Sequence, residues 1–250
     1  ASFYKTLDNE KDVVSTRTLL HEAIPLTGTI VSGTYADANI KDFAHGMFQS
    51  VYDYPYLSSS ANHIFDITVG VSADSGLYSS MTSQKEKKRN IYNQMAQVLM
   101  GYDHTGSVQR FDEDGNITGA GTKLDEVFFL NFSRLLVKDE IKKGSFQLEL
   151  GVTDVFKQDG TTFNQRIKIT DFSGSDGYFV NSPAGEYGVL FATASAGTNV
   201  LKANQYFRVG LLFYQAGIAV ISGSVFRAEN DDAAGILNNS TNSSALSATA

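Results

Sequence analysis

The sequence predicts an α+β protein: a β-rich, antiparallel, sandwich-like C-terminal half, about two helices in the N-terminal half, and an extended N-terminal arm. Three observations predict it. Two apolar, β-prone runs, Val209–Tyr214 and Ile218–Val220, are joined by the turn-length break Gln215-Ala216-Gly217, which reads as a hairpin buried on both faces. Glu126–Val137, Gly144–Leu150, Arg166–Asp171 and Gly188–Ala192 are further strand-like runs, separated by Gly, Asp, Asn or Ser as in an antiparallel sandwich. Finally, 22 glycines, 3 prolines, 12 tyrosines and 17 phenylalanines favour pleated sheet with tight turns over a helical bundle.

In chain order, residues 1–35 form the arm, with an acidic patch at Asp8, Glu10 and Asp12 and with Pro25 marking an edge strand or a loop. A region of mixed α and β character follows over 36–120. Its first helix is predicted from Ile40, Phe43, Ala44, Met47, Phe48 and Val51 at helical spacing, with Asp37 or Asn39 as cap and Asp53-Tyr-Pro-Tyr56 as terminator. The strand His63–Val71 comes next. The second helix has Thr82 or Ser83 as cap, Ile91, Met95, Val98 and Leu99 as apolar stripe, a solvated first half over Gln84–Arg89, and Gly101 as its stop. The sandwich-like region covers 121–228. Residues 229–250 read as a polar, low-complexity tail with nothing to nucleate a core.

Bulk properties exclude several function classes. A formal net charge of −7 offers no basic face for nucleic acid or an anionic membrane surface. The chain has no cysteine, which removes disulfides, thiolate metal sites and a thiol nucleophile. No apolar run approaches the roughly 20 residues of a membrane helix. Ala1-Ser-Phe-Tyr-Lys5 lacks the apolar core of a signal peptide, so synthesis without an export signal is expected, and Asn116-Ile-Thr118 and Asn131-Phe-Ser133 carry no weight as glycosylation sequons.

No stretch spells out a reaction. Aligning Gly115 with the glycine of a calcium-binding helix–loop–helix puts Arg110 and Gly121 where acidic ligands belong, so Asp112-Glu-Asp-Gly-Asn116 reads as a hairpin turn between Val108–Phe111 and Asn116–Thr118. His21, His45, His63 and His104 show no metal-ligand spacing. A carboxylate pair such as Asp66 with Asp171 has no positive support. Tyr52-Asp-Tyr-Pro-Tyr56 is weighed first as a subunit contact or a core hinge between elements and second as a sugar-stacking platform. No catalytic residue, cofactor or metal ligand is assigned.

Four stretches carry a resemblance. They are Asp12-Val-Val-Ser-Thr-Arg-Thr-Leu-Leu-His-Glu-Ala-Ile-Pro-Leu-Thr-Gly-Thr-Ile-Val31, Ala44-His-Gly-Met-Phe-Gln-Ser-Val-Tyr-Asp-Tyr-Pro-Tyr56, Phe129-Leu-Asn-Phe-Ser-Arg-Leu-Leu-Val-Lys-Asp-Glu-Ile-Lys-Lys-Gly-Ser-Phe146, and the hairpin. Together they resemble virion structural proteins of contractile-tailed bacteriophages of the T4-like, cyanophage kind, from the tail or baseplate. The resemblance covers residues 1 to about 226 and rests on packing and turn signatures. It implies a non-enzymatic subunit of the virion, assembled in the host cytoplasm, whose partners are other virion proteins and copies of itself. A module binding a host-surface glycan is the alternative. In similar proteins the chain continues past the hairpin into another β-rich region, where this one has its polar tail.

Overall fold

The computed structural model describes residues 40–43, 47–52, 56–76, 83–116, 121–136, 139–151, 165–197, 200–202, 205–227 and 235–238. The arm (1–35), His21, His45 and Tyr54 lie outside them. Ten strands form one sheet: β1 (Ile40–Asp42), β2 (Gln49–Tyr52), β3 (His63–Val71), β4 (Glu126–Asn131), β5 (Gln147–Gly151), β6 (Arg166–Thr170), β7 (Phe179–Ser182), β8 (Gly185–Ala196), β9 (Phe207–Phe213) and β10 (Ile218–Ser222). Their spatial order is β1-β2-β3-β4-β10-β9-β8-β6-β5, with β7 against β8, and the pairings are antiparallel. Residues on both sides of position 120 build this sheet, since β3 pairs with β4.

The 209–221 hairpin forms as predicted and sits in the middle of the sheet. Gly217 holds φ +66°, the left-handed conformation that glycine adopts without strain, and its N–H donates to the Phe213 carbonyl at 2.9 Å. Burial on both faces also holds: Leu211, Phe213 and Val220 join one apolar cluster, and Leu212, Ala219 and Ile221 the other. Alternation changes phase in β9, where Val209 and Leu212 share a cluster. The cause is the irregularity opposite Leu190–Phe191, a bulge that re-aims the side chains. Strand β4 is likewise buried on both faces, with Phe128 and Leu130 in one cluster and Val127 and Phe129 in the other, whereas Leu135 beyond it is exposed. The strand ends earlier than predicted, at Asn131, because the Asn131 Oδ1 accepts the Ser133 N–H at 2.9 Å and turns the chain into a short 3₁₀ helix, Ser133–Leu135. Strand β7 escaped prediction, and β8 is longer than predicted.

The first predicted helix is corrected to the hairpin β1–β2. Ile40 is opposite Val51, and the Phe43 and Phe48 rings lie 4.9 Å apart. These are mirror positions about the intervening turn, so the spacing that mimics a helical stripe also pairs the same residues across two strands. Tertiary contacts decide: β2 docks on β3 and buries Val51.

The second helix, α1 (Ser83–Leu99), is present, and Gly101 follows it at φ +82°. Of the cap candidates, Thr82 lies outside the described residues. The stripe is displaced from the predicted one. Lys88, Ile91, Tyr92, Ala96 and Leu99 are buried, whereas Val98 is 63% exposed. At about 100° per residue, Val98 falls roughly 100° from the Lys88–Tyr92–Leu99 centre line. The expectation that the whole first half is solvated therefore fails at Lys88, which is 2% exposed.

Helix α1 and the 101–125 segment cover one sheet face, with Tyr92, Leu99 and Phe111 on Val127, Phe129, Leu211 and Phe213. Burying side chains of that size stabilises by about 1.5–3 kcal/mol each. The other face is one cluster shared by both flanks of the sheet, giving the sandwich-like form. Phe132 joins them, 5.3 Å from Phe65 of β3 and 5.7 Å from Phe146 at the entry to β5. Ile236 and Leu237 also enter this cluster, and Leu237 bridges to Leu201. Within the stretch expected to be a polar tail, 229–250, these two apolar residues are therefore packed in the core, and the rest of it apart from 235–238 lies outside the described residues. Among the described residues no helix is long and apolar enough to cross a membrane.

Candidate functional site

At one end of the sheet, where β3 and β10 stop and β4 and β9 start, the loops leave a cleft of about 450 Å³. Its walls are charged. Arg110 donates to Asp74 at 2.6 Å and to Asp125 at 2.8 Å, and Ser72 Oγ donates to the same Asp125 oxygen at 2.5 Å. Ser75 Oγ donates to Glu126 Oε1 at 2.5 Å, while Arg227 pairs with Glu126 Oε2. Lys123 is held 2.5 Å from the buried Asp112. These carboxylates are thus bound to internal cations and hydroxyls.

Glu113 is different. It closes no ion pair among the described residues, and burial pushes its carboxyl above the ordinary value, against the opposing pull of Arg208 and Lys202. Arg208 is exposed at the cleft mouth and lies directly opposite Phe191 of β8. There the cleft adjoins a group of rings. Phe191 is 4.6 Å from Phe172 and 5.8 Å from Tyr206, and the two outer rings are 6.1 Å apart. Phe172 is 55% and Tyr206 63% exposed.

The residues singled out from sequence are placed as follows. Tyr52 and Tyr56 lie 6.3 Å apart, with Tyr52 edge-on to His63 and Tyr56 37% exposed. Asp66 accepts from Ser50 Oγ at 2.5 Å and meets His63 Nε2 at 2.7 Å. The carboxylate stands between serine and imidazole, so His63 is not placed to take the Ser50 proton, and the trio is not a nucleophile relay. Asp171 has other partners, the amides of Gly144 and Phe146 at 2.7 and 2.8 Å. It acts as a clasp that ties the 141–146 turn to the end of β6. His104 sits exposed in the 103–107 turn.

The Asp112–Asn116 segment is a turn, as read, with Gly115 at φ +77° and its N–H bonded to the Asp112 carbonyl at 3.2 Å. Its ladder partner is 122–124 rather than 116–118: Glu113 N donates to Thr122 O at 2.9 Å and Leu124 N to Phe111 O at 3.0 Å. Among the described residues no group of His, Asp and Glu is arranged to hold a metal ion.

The cleft and the ring cluster were not legible in sequence. Phe172, Phe191 and Tyr206 come from three separate segments, and only the register of β6, β8 and β9 brings them together. No protein-family model, curated protein or solved structure matches the chain.

Proposed function

We propose that this chain is a non-enzymatic structural subunit that works through its surface, in a virion assembly of the contractile-tail kind its sequence resembles. The observation that carries the reading is the internal pairing of three carboxylates of the cleft wall, Asp74, Asp125 and Glu126. With Asp74, Asp125 and Glu126 tied to Arg110 and Arg227, the cleft braces the loops at the sheet end, and the Ser72 and Ser75 hydroxyls donate to carboxylates that these guanidinium groups already hold. Light scattering over a concentration series, with hydrogen exchange, tests it. A stable oligomer is expected, with subunit contacts contributing to stability. A compact monomer protected from exchange end to end would count against the proposal.

A second reading, a carbohydrate-binding module of the same assembly, is favoured by the solvent-facing rings of Phe172 and Tyr206. Aromatic faces left in water are suited to stacking against the apolar faces of sugars.

A further inference from the structure

Helix α1 covers only part of its sheet face. Beyond it, β5, β6 and the second half of β8 alternate: Leu148, Leu150, Ile167, Ile169 and Ala192 enter the shared core, so Gln147, Glu149, Lys168, Thr170, Phe191 and Thr193 face the other way. Register makes a straight row of four of these neighbours, Gln147–Thr170–Phe191–Arg208, on adjacent strands. At roughly 4.8 Å per strand the row spans about 14 Å, enough for a short oligosaccharide.

The strands of this area carry three cations, Arg166, Lys168 and Arg208, and one carboxylate, Glu149. Arg166 is paired with Glu149 at 3.1 Å, whereas Lys168 and Arg208 close no ion pair among the described residues. Glu149 lies opposite Lys168 in the β5–β6 ladder, and Glu113 and Asp114 of the adjoining turn are within electrostatic reach of Arg208. Exposed rings flanked by short hydroxyl and amide side chains and by cations that close no ion pair among the described residues are complementary to a ligand with apolar faces, many hydroxyls and negative charge.

We infer that the Phe172–Phe191–Tyr206 platform, with Arg208 and Lys168, binds an acidic glycan: sugar rings stack on Phe172 and Tyr206, and a carboxylate or sulfate meets the two cations. Thr170 and Gln147 are placed to bond hydroxyls along the row. The inference rests on the carbohydrate reading above and assigns it a site away from Tyr52–Tyr56.

The test is a printed array carrying uronate-, sialate- and sulfate-bearing oligosaccharides beside their neutral counterparts, probed with the full chain. Acidic glycans should be captured, and raising the salt should weaken capture. Phe172→Ala and Tyr206→Ala should each reduce affinity for the best acidic glycan about tenfold, the loss of one stacked ring. Arg208→Gln should weaken acidic glycans selectively and flatten the salt dependence. All three side chains lie at the surface, so thermal midpoints should stay near wild type, and Arg208→Gln remains informative if a ring variant folds poorly. No capture of any glycan would remove both this site and the carbohydrate reading. Capture that survives both ring variants but is lost in Tyr56→Ala would keep the reading and overturn this site. Capture of neutral glycans alone, unaffected by Arg208→Gln, would overturn the acidic class.

Discussion

Lys123 places its Nζ 2.5 Å from Oδ2 of Asp112, whose side chain is fully buried while the lysine stem keeps a path to solvent. The two residues also face each other in an antiparallel bridge. The pair is therefore asymmetric. Lys123→Ala strands a buried carboxylate, which costs about 3–5 kcal/mol, whereas Asp112→Ala lets the lysine swing into water. Urea denaturation should rank Lys123→Ala as the more destabilised variant. The reverse ranking would show that the Asp112 acceptor role toward the Asp114 N–H outweighs its charge.

Tyr214 is wedged between two glycines. A Cβ at either Gly174 or Gly188 would overlap its hydroxyl oxygen, which lies beside Asp171 without closing a well-aligned hydrogen bond. Gly188→Ala should cost about 1–3 kcal/mol, as overpacking does, and Tyr214→Phe should recover most of it because it deletes the clashing atom. Gly210→Ala serves as the contrast. Its Cβ would meet the Val220 backbone carbonyl, which no side-chain change removes, so Tyr214→Phe should leave that loss intact. Additive behaviour of Gly188→Ala with Tyr214→Phe in denaturant titrations would refute the wedge.

Lys88 titrates differently in the two states. Burial, with Lys87 as a second cause, pulls its ammonium down to about 8 from the ordinary 10.5. Below about pH 8 the lysine is charged in both states and its burial penalty is fully present; above 10.5 it is neutral in both and the penalty is gone. Stability of the wild type should thus rise relative to Lys88→Met across that window. Thermal midpoints of both proteins measured against pH check this, and a constant gap would contradict it.

Asp171 has the opposite sign. Burial raises its carboxyl above the ordinary 3.8, with the Gly144 and Phe146 amides opposing the rise. The folded state holds the proton more tightly, so the contribution is present at low pH and lost as pH rises through the native value. Asp171→Asn keeps the shape but turns an NH₂ toward one of the two amide donors, which costs about 1–3 kcal/mol at neutral pH. The gap to wild type should widen as the solution is acidified, because only the wild type gains a favourable proton. A gap that narrows in acid would overturn the assignment.

Local signals determined much of this protein by themselves. The 209–221 hairpin, β3 and α1 were legible because each is specified by residues close in sequence: β-branched runs bounded by glycine, or an apolar period closed by Gly101. Residues 40–51 defeated the same logic, since Ile40, Phe43, Phe48 and Val51 satisfy a helical period and a hairpin equally well, and only docking on β3 separates the two. Lys88 and the Ile236–Leu237 pair were misjudged for a related reason: burial depends on what lies opposite, which a polar neighbourhood in sequence does not report. The cleft and the Phe172–Phe191–Tyr206 platform were decided wholly by tertiary structure. Strand register in an antiparallel sheet joins residues whose separation along the chain carries no periodic trace, so their convergence exists only once the sheet has closed.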